Sequence, residues 1–393
     1  MTLLRSADGN IYFIPNILES IANNYRFRGW MNQTWLTNLG LKMPETTAEF
    51  RTVLEAFRDR DPNGNGLKDE IPAIGTNNDV GLLTDFLLNS FIYDDIRNRL
   101  VVDNNGRVDV IYNKPEYRDG LRYVNSLWND GLIFDQLFTL TGLREINESL
   151  EGNTITGFMT VGFAGAFAPY SEMRLNYVPM APLRGPQGAR WATYIAYAPA
   201  PNFVITKDCK NPEAAFRLGD YMCSEDMSIW NRFGRPEIDW RTPRPGEKSM
   251  YDSVGISAML APILVWGQIQ NSHWGAAAPC LSYLGITDGQ VAPDNPLDNE
   301  IWVAAATLAN MPYVPPERNR VDFTIFDARE TDELGDLQNS INTYVNENQA
   351  FFVTGQKSID RDWDAYVREL DRIGLQRYIA IQQSGYERAI GKK

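Results

Sequence analysis

Residues 61–70 carry oxygen-bearing side chains in an alternating pattern that could bind a metal ion. Calcium prefers about six to eight oxygen ligands and tolerates irregular angles between them. In a tight loop the alternation would turn Asp61, Asn63 and Asn65 inward, and Leu67 would supply its backbone carbonyl oxygen. Glycines within the loop allow the backbone conformations that such a turn requires. The pattern therefore predicts a calcium-binding loop.

The end of this loop departs from the EF-hand pattern. The last position of an EF-hand loop holds a bidentate glutamate, whereas Pro72 stands there in this chain and Glu70 is the natural substitute. A proline at this point also disfavours the second helix of an EF-hand. We therefore interpret the segment as a calcium loop of another type. The alternative is a loop of Asx turns that binds no metal.

A second stretch of the chain shows a similar spacing of oxygen donors. Asp103, Asn105 and Asp109 have this spacing, but they lie around Asn105-Gly106, a dipeptide typical of a hairpin turn. Because this turn offers fewer ligands, we do not expect a second metal site there.

Composition excludes several classes of function. The chain has 393 residues, enough for two domains, and a formal net charge of −13, which argues against binding to nucleic acid or to anionic lipid. Its single histidine, His273, disfavours catalytic triads and multi-histidine metal sites. The cysteine count is odd, so at most one disulfide pair could form, and the sequence does not decide whether it does. No apolar run is long enough for a membrane span, and no signal peptide is present.

Short-range patterns predict a mixture of helices and strands. A capping box at Thr46 and Glu49, followed by apolar residues at helical spacing, predicts a helix over 46–60. The Asn-Gly dipeptide predicts a hairpin over 99–112. Further helices are expected over 116–130, 211–224 and 361–373, and strands over 11–14 and 202–207. This mixed order with irregular spacing favours α/β lobes.

Several segments together resemble one protein family. Residues 35–41, 44–50 and 61–72 are similar in order and spacing to the extracellular solute-binding proteins of ABC transporters, in particular LipO-like lipoproteins and the alginate-binding proteins. The similarity continues through 182–188, 205–215, 352–366 and 386–388. By this resemblance the calcium ligands are Asp61, Asn63, Asn65, Leu67 through its carbonyl, Asp69 and Glu70.

The resemblance also implies a fold. It is α/β, the type II periplasmic-binding-protein fold, in which two lobes enclose the ligand. Family members have a long stretch before the position of Asp8, with the signal peptide, the anchoring cysteine and the first strands of lobe 1, so we expect an N-terminally truncated chain with lobe 1 incomplete. The expected boundaries are 1–25 and 173–235 for lobe 1, and 26–172 and 236–393 for lobe 2.

The ligand-binding residues are sought among aromatic side chains near the expected lobe crossings, because sugar-binding clefts combine flat aromatic faces with a few fixed polar groups. For each tryptophan the alternative is packing in the core or the hinge. Family members often carry an Ile-Arg-x-Asp-Trp run where this chain has residues 31–35, so no contact from that Arg or Asp is carried over. The candidates are Trp30, Asn32, Arg190, Trp191, Tyr194 and Trp274.

These observations predict the substrate-binding component of an ABC importer. It would be a monomer and not an enzyme, would capture an oligosaccharide, would contain calcium and would deliver its ligand to membrane permease subunits. The resemblance places the full-length protein outside the cytoplasm, as a cell-surface lipoprotein or in the periplasm. The alternatives are a calcium-dependent surface adhesion or sensor module, and a glycan-active enzyme, although no pair of carboxylates stands out as acid and base.

Overall fold

The structure is a computed structural model that describes residue 4 and residues 9–76, 82–140, 155–162, 172–263, 280–296 and 298–392. The chain divides into two compact units. Unit 1 comprises Met1–Asn24 and Ala196–Ala304, and unit 2 comprises Tyr25–Ile195 and Ala305–Lys393. Among the described residues, no helix has the length and apolar character needed to cross a bilayer.

Strands and helices alternate irregularly along the chain, as an α/β protein requires. The strands are β1 (Ile14–Leu18), β2 (Gly29–Asn32), β3 (Ile71–Ile74), β4 (Leu100–Val102), β5 (Val108–Val110), β6 (Thr156–Thr160), β7 (Tyr177–Met180), β8 (Ala200–Phe203), β9 (Trp240–Arg241), β10 (Ala261–Pro262) and β11 (Leu281–Ser282). The helices are α1 (Ile21–Asn24), α2 (Gln33–Leu39), α3 (Thr47–Asp59), α4 (Leu83–Leu88), α5 (Pro115–Asn129), α6 (Pro212–Met222), α7 (Glu225–Phe233), α8 (Leu284–Asp288), α9 (Asn299–Asn310), α10 (Ala328–Thr354), α11 (Ile359–Ile373) and α12 (Leu375–Ala389).

Unit 2 is built on a mixed sheet with strand order β3-β6-β2-β7. Strand β3 runs parallel to β6, while β2 is antiparallel to both β6 and β7. Met31 lies opposite Phe158 across β2 and β6, and the Phe158 ring meets Phe50 of α3 edge-on at 4.9 Å between centroids. This face of the sheet continues into the main apolar core, to which α5, α10, α11 and α12 also contribute.

The local elements of unit 2 confirm the short-range predictions. Helix α3 has the complete capping box, since Thr46 accepts from the Glu49 amide and the Glu49 side chain accepts from the Thr46 amide. The hairpin of β4 and β5 turns at Gly106, whose φ of +79° favours glycine. Helices α5 and α11 lie within two residues of their predicted bounds at either end.

Unit 1 contains a sheet with strand order β11-β1-β8. Strand β1 begins at Ile14, where the predicted strand was to end, and β8 ends at Phe203, before most of the predicted strand. The pairing of Ile17 with Leu281 and of Ile14 with Phe203 fixes these bounds. Because both partners lie far away in sequence, local patterns do not determine them.

The unit boundaries differ from the predicted lobes. The sequence predicts 173–195 in lobe 1 and 236–304 in lobe 2, whereas the structure places the first range in unit 2 and the second in unit 1. The reason is long-range pairing: β11 runs parallel to β1, and the Trp191 amide donates to Asn89 O at 3.0 Å. The predicted boundaries are corrected accordingly.

The capping box at the start of α3 predicts a stability effect. Thr46→Ala removes the acceptor for the Glu49 amide and should lower the free energy of unfolding by about 1 kcal/mol in urea titrations. Thr52→Ala is the control, because Thr52 bonds only to the Ala48 carbonyl within the same helix. Equal stability of Thr46→Ala and the wild type would contradict the role of the cap.

Candidate functional site

The predicted calcium loop connects α3 to β3, so its two ends are fixed in the core of unit 2. Two side chains near the end of α2 and α3 hold it to the unit. Asn38 Nδ2 donates to the Pro62 carbonyl at 2.8 Å, and the Arg60 guanidinium donates to the Leu39 carbonyl at 3.3 Å. The loop therefore stands on a rigid base although most of its side chains are exposed.

The inward side chains of the loop organise its backbone. The Asp61 carboxylate accepts from the amides of Asn65 and Gly66, at 3.1 and 2.9 Å. Asn63 Oδ1 also accepts from the Asn65 amide, and Asn65 Oδ1 accepts from the Leu67 amide at 2.7 Å. These bonds are Asx-type turns, which both the calcium interpretation and its alternative require.

The amide nitrogens of the two asparagines point toward the Asp69 carboxylate. Asn63 Nδ2 lies 3.3 Å from Asp69 Oδ1, and Asn65 Nδ2 lies 3.2 and 3.1 Å from the two Asp69 oxygens. Rotation of an amide exchanges its nitrogen and oxygen, so either side chain could turn its oxygen toward a cation near Asp69, at the expense of its hydrogen bond to the loop backbone. Within the described ranges, no group of three or more His, Cys, Asp or Glu residues is placed to hold a metal, so a site here would depend on the amide and carbonyl oxygens as well.

Glu70 is the residue whose surroundings fit a cation best. Its Oε1 atom is buried and has no hydrogen-bond partner. Burial raises the pKa of the Glu70 carboxyl, and the negative charges of Asp69 and Asp61 raise it further. A hard cation would supply the missing partner for Oε1 and would offset the repulsion among the carboxylates. The donor set therefore fits calcium.

The turn at 103–109 has the same local geometry but not the same electrostatics. Asp103 accepts from the amides of Asn105 and Arg107 and pairs with the Arg107 guanidinium at 2.9 Å. These bonds lower the pKa of Asp103. Asp109 pairs with Lys114 at 2.6 Å. Side-chain cations therefore already balance the charge of both carboxylates.

Two predicted ligand contacts lie in the interior. Trp30 is fully buried and its Nε1 donates to the Val161 carbonyl at 3.0 Å. Asn32 is also fully buried, with Oδ1 capping α2 at the Trp35 amide and Nδ2 donating to the Thr156 carbonyl. Both side chains have structural partners, which argues against the predicted contacts with ligand. The sequence reasoning missed that β2 is an inner strand of the sheet.

Three other predicted contacts, Arg190, Trp191 and Tyr194, lie on one segment of unit 2. We name these residues, together with the side chains that stack on Arg190 and Tyr194, the aromatic cluster. Tyr194 is covered on one side by the Arg320 guanidinium, 4.1 Å from its ring centroid, and meets Tyr25 edge-on at 5.4 Å. Arg320 is held in place by its ion pair with Asp322 at 2.7 Å. The half-buried members of the cluster are Tyr25, Arg190, Trp191, Tyr194, Tyr313 and Arg320.

Arg190 and Trp191 precede Tyr194 on the same segment, and the described residues leave part of their hydrogen-bonding capacity unused. The Arg190 guanidinium stacks over Tyr313 at 4.3 Å and donates through Nε to the Pro182 carbonyl at 2.6 Å. No carboxylate among the described residues forms an ion pair with it. Within the same ranges, no ring or cation stacks on Trp191 and no acceptor binds its indole N–H. The predicted contact at Trp274 lies outside the described residues.

The sequence is similar to two characterised bacterial proteins, although no family model matches it. It is 27% identical to the fructooligosaccharide ABC transporter substrate-binding protein FusA of Streptococcus pneumoniae, over 98% of this chain and 71% of that protein. It is 38% identical over 104 residues to the lipoprotein LipO of Bacillus subtilis, which is 25% of this chain and 20% of LipO.

Solved structures share the fold. FusA in complex with kestose superposes with a TM-score of 0.80 at 24% identity, over 100% of this chain and 79% of that chain. An EF-hand mutant of FusA with fructo-nystose gives the same TM-score at 25% identity and the same coverage. The alginate-binding protein AlgQ2 without calcium ion gives 0.65 at 22%, over 98% of this chain and 76% of that chain. The predicted α/β periplasmic-binding-protein fold is confirmed.

The two Asx turns predict matched effects in the presence of a chelator. Asp61→Ala and Asp103→Ala each remove the acceptor of two backbone amides, so both should lower the melting temperature in EDTA. Differential scanning calorimetry would measure this. An unchanged melting temperature for Asp61→Ala would mean that the loop is not held by the hydrogen bonds described above.

Proposed function

We propose that this chain, which is a solute-binding protein of the ABC-transporter family, captures an oligosaccharide and delivers it to the permease subunits of an importer. Similarity to FusA along 98% of the chain is the observation that carries the proposal. Proteins of this family bind their solute and do not transform it, so the chain is not an enzyme. The sugars bound to FusA, kestose and fructo-nystose, are the first ligands to test.

The aromatic cluster supports binding of a sugar. A pyranose or furanose ring has an apolar face of C–H groups that packs on a flat aromatic side chain. The Trp191 amide donates to the Asn89 carbonyl, which fixes the backbone in unit 2. The residue is half-buried, so part of its indole stays accessible. Its indole N–H, for which the described part of the chain offers no acceptor, can donate to a sugar hydroxyl. We therefore place the main stacking contact on Trp191 and a second contact on Tyr194.

Arg190 supplies the polar part of the same surface. Its Nε and its π face are already used by Pro182 and Tyr313, and these contacts fix the plane of the guanidinium. The remaining N–H groups can donate to hydroxyls in a defined direction, which gives specificity without a charged ligand. Arg320 is different, because its ion pair with Asp322 makes it a support for the Tyr194 ring.

Calcium is the proposed structural ion of the loop at 61–70. The buried, unpartnered Glu70 Oε1 and the clustered carboxylates support this assignment. When bound, the ion would hold the oxygens of Asp61, Asn63, Asn65, Leu67, Asp69 and Glu70. The same residues already close the loop through hydrogen bonds, so the ion would add stability to a preformed turn.

The proposed location is the outer side of the cell membrane, as a surface lipoprotein. It is based on the similarity to LipO, whose name describes a lipoprotein. A surface lipoprotein on the outer side of the membrane would meet oligosaccharides and sufficient calcium. The alternative is a surface glycan-binding or sensor module without a role in transport. Uptake of labelled oligosaccharide by cells with and without the gene distinguishes the two, since only the importer component is needed for uptake.

Ligand binding should depend on the exposed part of Trp191. Trp191→Ala should weaken binding of kestose or nystose by about ten- to a hundredfold, because a buried aromatic contact contributes about 1.5–3 kcal/mol. Isothermal titration calorimetry would measure the dissociation constants. Trp230→Ala is the matched control, since it removes an indole that is 47% exposed in unit 1. Equal affinity of Trp191→Ala and wild type would remove Trp191 from the site.

Calcium should raise the melting temperature of the wild type after treatment with EDTA. At about a hundredfold excess over its dissociation constant, an ion that binds only the folded state adds about 2.7 kcal/mol. Magnesium should not replace it, because magnesium requires a rigid octahedral site. Asp61→Ala should lose the calcium increment, whereas Asp103→Ala should keep it. A calcium increment that survives in Asp61→Ala would exclude this loop as the site.

A further inference from the structure

The segment 191–194, which carries two members of the aromatic cluster, is held along its whole length. Its backbone has partners from three other parts of unit 2. The bonds run from the Trp191 amide to Asn89 O at 3.0 Å, from the Ala192 amide to Tyr313 O at 2.9 Å, and from Tyr93 Oη to Tyr194 O at 3.3 Å. Trp191 and Tyr194 therefore project from a strongly constrained backbone.

Thr193 is the buried anchor of this segment. Its hydroxyl donates to the Asp94 carbonyl at 2.9 Å and accepts from Asn89 Nδ2 at 3.1 Å. Asn89 Oδ1 in turn accepts from the Asp94 amide at 3.0 Å. The side chain of Thr193 is only 4% exposed, and those of Asn89 and Asp94 are buried as well. The three residues thus form a closed polar triangle behind the cluster.

The triangle lies beside a buried ion pair between Arg99 and Asp85. Asp94 Oδ2 lies 3.9 Å from Arg99 Nε, and the Arg99 guanidinium donates to Asp85 at 2.8 Å. Arg99 also donates to Asn346 and Gln349 of α10. A chain of polar contacts therefore connects the longest helix of unit 2 to the segment 191–194.

The backbone between the triangle and the ion pair is strained. Ile96 and Arg99 have φ values of +64° and +54°, a region that β-branched residues such as isoleucine rarely occupy. Such strain persists only where surrounding contacts fix the conformation, and it is concentrated at functional sites. Here the contacts are the Ile96 amide on Asp94 Oδ1, and the amides of Asn98 and Arg99 on Asp95 Oδ1.

We propose that Thr193 is a positioning residue for ligand binding: its hydroxyl, held by Asn89 and Asp94, fixes the direction in which Trp191 and Tyr194 face the oligosaccharide. This inference rests on the proposed function. A hydroxyl suits this role because it donates in one direction and accepts in another. Two hydrogen bonds in different directions fix both the orientation of the segment and its distance from Asn89 and Asp94. A valine of the same shape would fill the space but would leave the Asp94 carbonyl with one donor fewer.

The test compares Thr193→Val with Thr193→Ser in the full chain. Thr193→Val should weaken binding of kestose or nystose about tenfold and should speed hydrogen exchange of the Trp191 and Ala192 amides. Thr193→Ser keeps the hydroxyl and should restore both properties. Tyr177→Phe is the control for general loss of stability, since it removes a buried hydrogen bond of 2.7 Å to Thr156 in the same unit. It should lower the melting temperature without changing affinity.

The outcomes separate this inference from the proposed function. Exchange and affinity that are unchanged in Thr193→Val would overturn the positioning role. An affinity that falls equally in Thr193→Val and Tyr177→Phe would reduce Thr193 to a general stabilising residue and would also overturn it. If the wild type binds no oligosaccharide, the proposed function fails. Faster exchange in Thr193→Val would then show that Thr193 holds the segment 191–194, and the role in ligand binding would be overturned.

Discussion

The buried guanidinium of Arg99 is the interaction on which unit 2 depends. It connects Asp85 in α4, Asp94 in the following loop and two polar side chains of α10, so elements distant in sequence share one charged centre. Burial raises the pKa of Asp94 and the neighbouring Asp85 charge raises it further, while the Arg99 guanidinium lowers it. Removal of one partner from a buried ion pair commonly costs about 3–5 kcal/mol.

Under the proposed function, the same centre also matters for ligand binding because of what lies beside it. The loop that Arg99 stabilises also carries Asn89, whose carbonyl and side chain hold the segment 191–194. A binding surface made of half-buried aromatic rings loses affinity if those rings can reorient, since the ligand must then fix them. Rigid support from the core reduces that cost. The loop at 61–70 is a separate feature of the same unit, in which the proposed calcium ion would balance carboxylate charge as Arg99 does in the interior.

Local elements could be predicted from the sequence because neighbouring residues determine them. The Thr46 capping box and the turn at Asn105-Gly106 both have the expected geometry. The predicted start of β1 was wrong, and the predicted lobes differ from the two units. Both features depend on pairing between residues more than a hundred positions apart.

In the candidate site, too, features set by neighbouring residues could be predicted and features set by distant residues could not. The spacing of oxygen donors marked the loop at 61–70 before its geometry was known. The burial of Trp30 and Asn32 could not be read from their neighbours, since it follows from the position of β2 inside the sheet. Arg99 gave no recognisable pattern, because its partners come from α4, a loop and α10, and only the folded chain brings them together.

The most direct test of the central claim is a crystal structure of the protein grown with kestose and calcium. We expect a sugar ring packed on the accessible face of Trp191, with Arg190 donating to its hydroxyls and with Thr193, Asn89 and Asp94 unchanged behind the cluster. A sugar bound elsewhere, with Trp191 and Tyr194 free of contact, would contradict it.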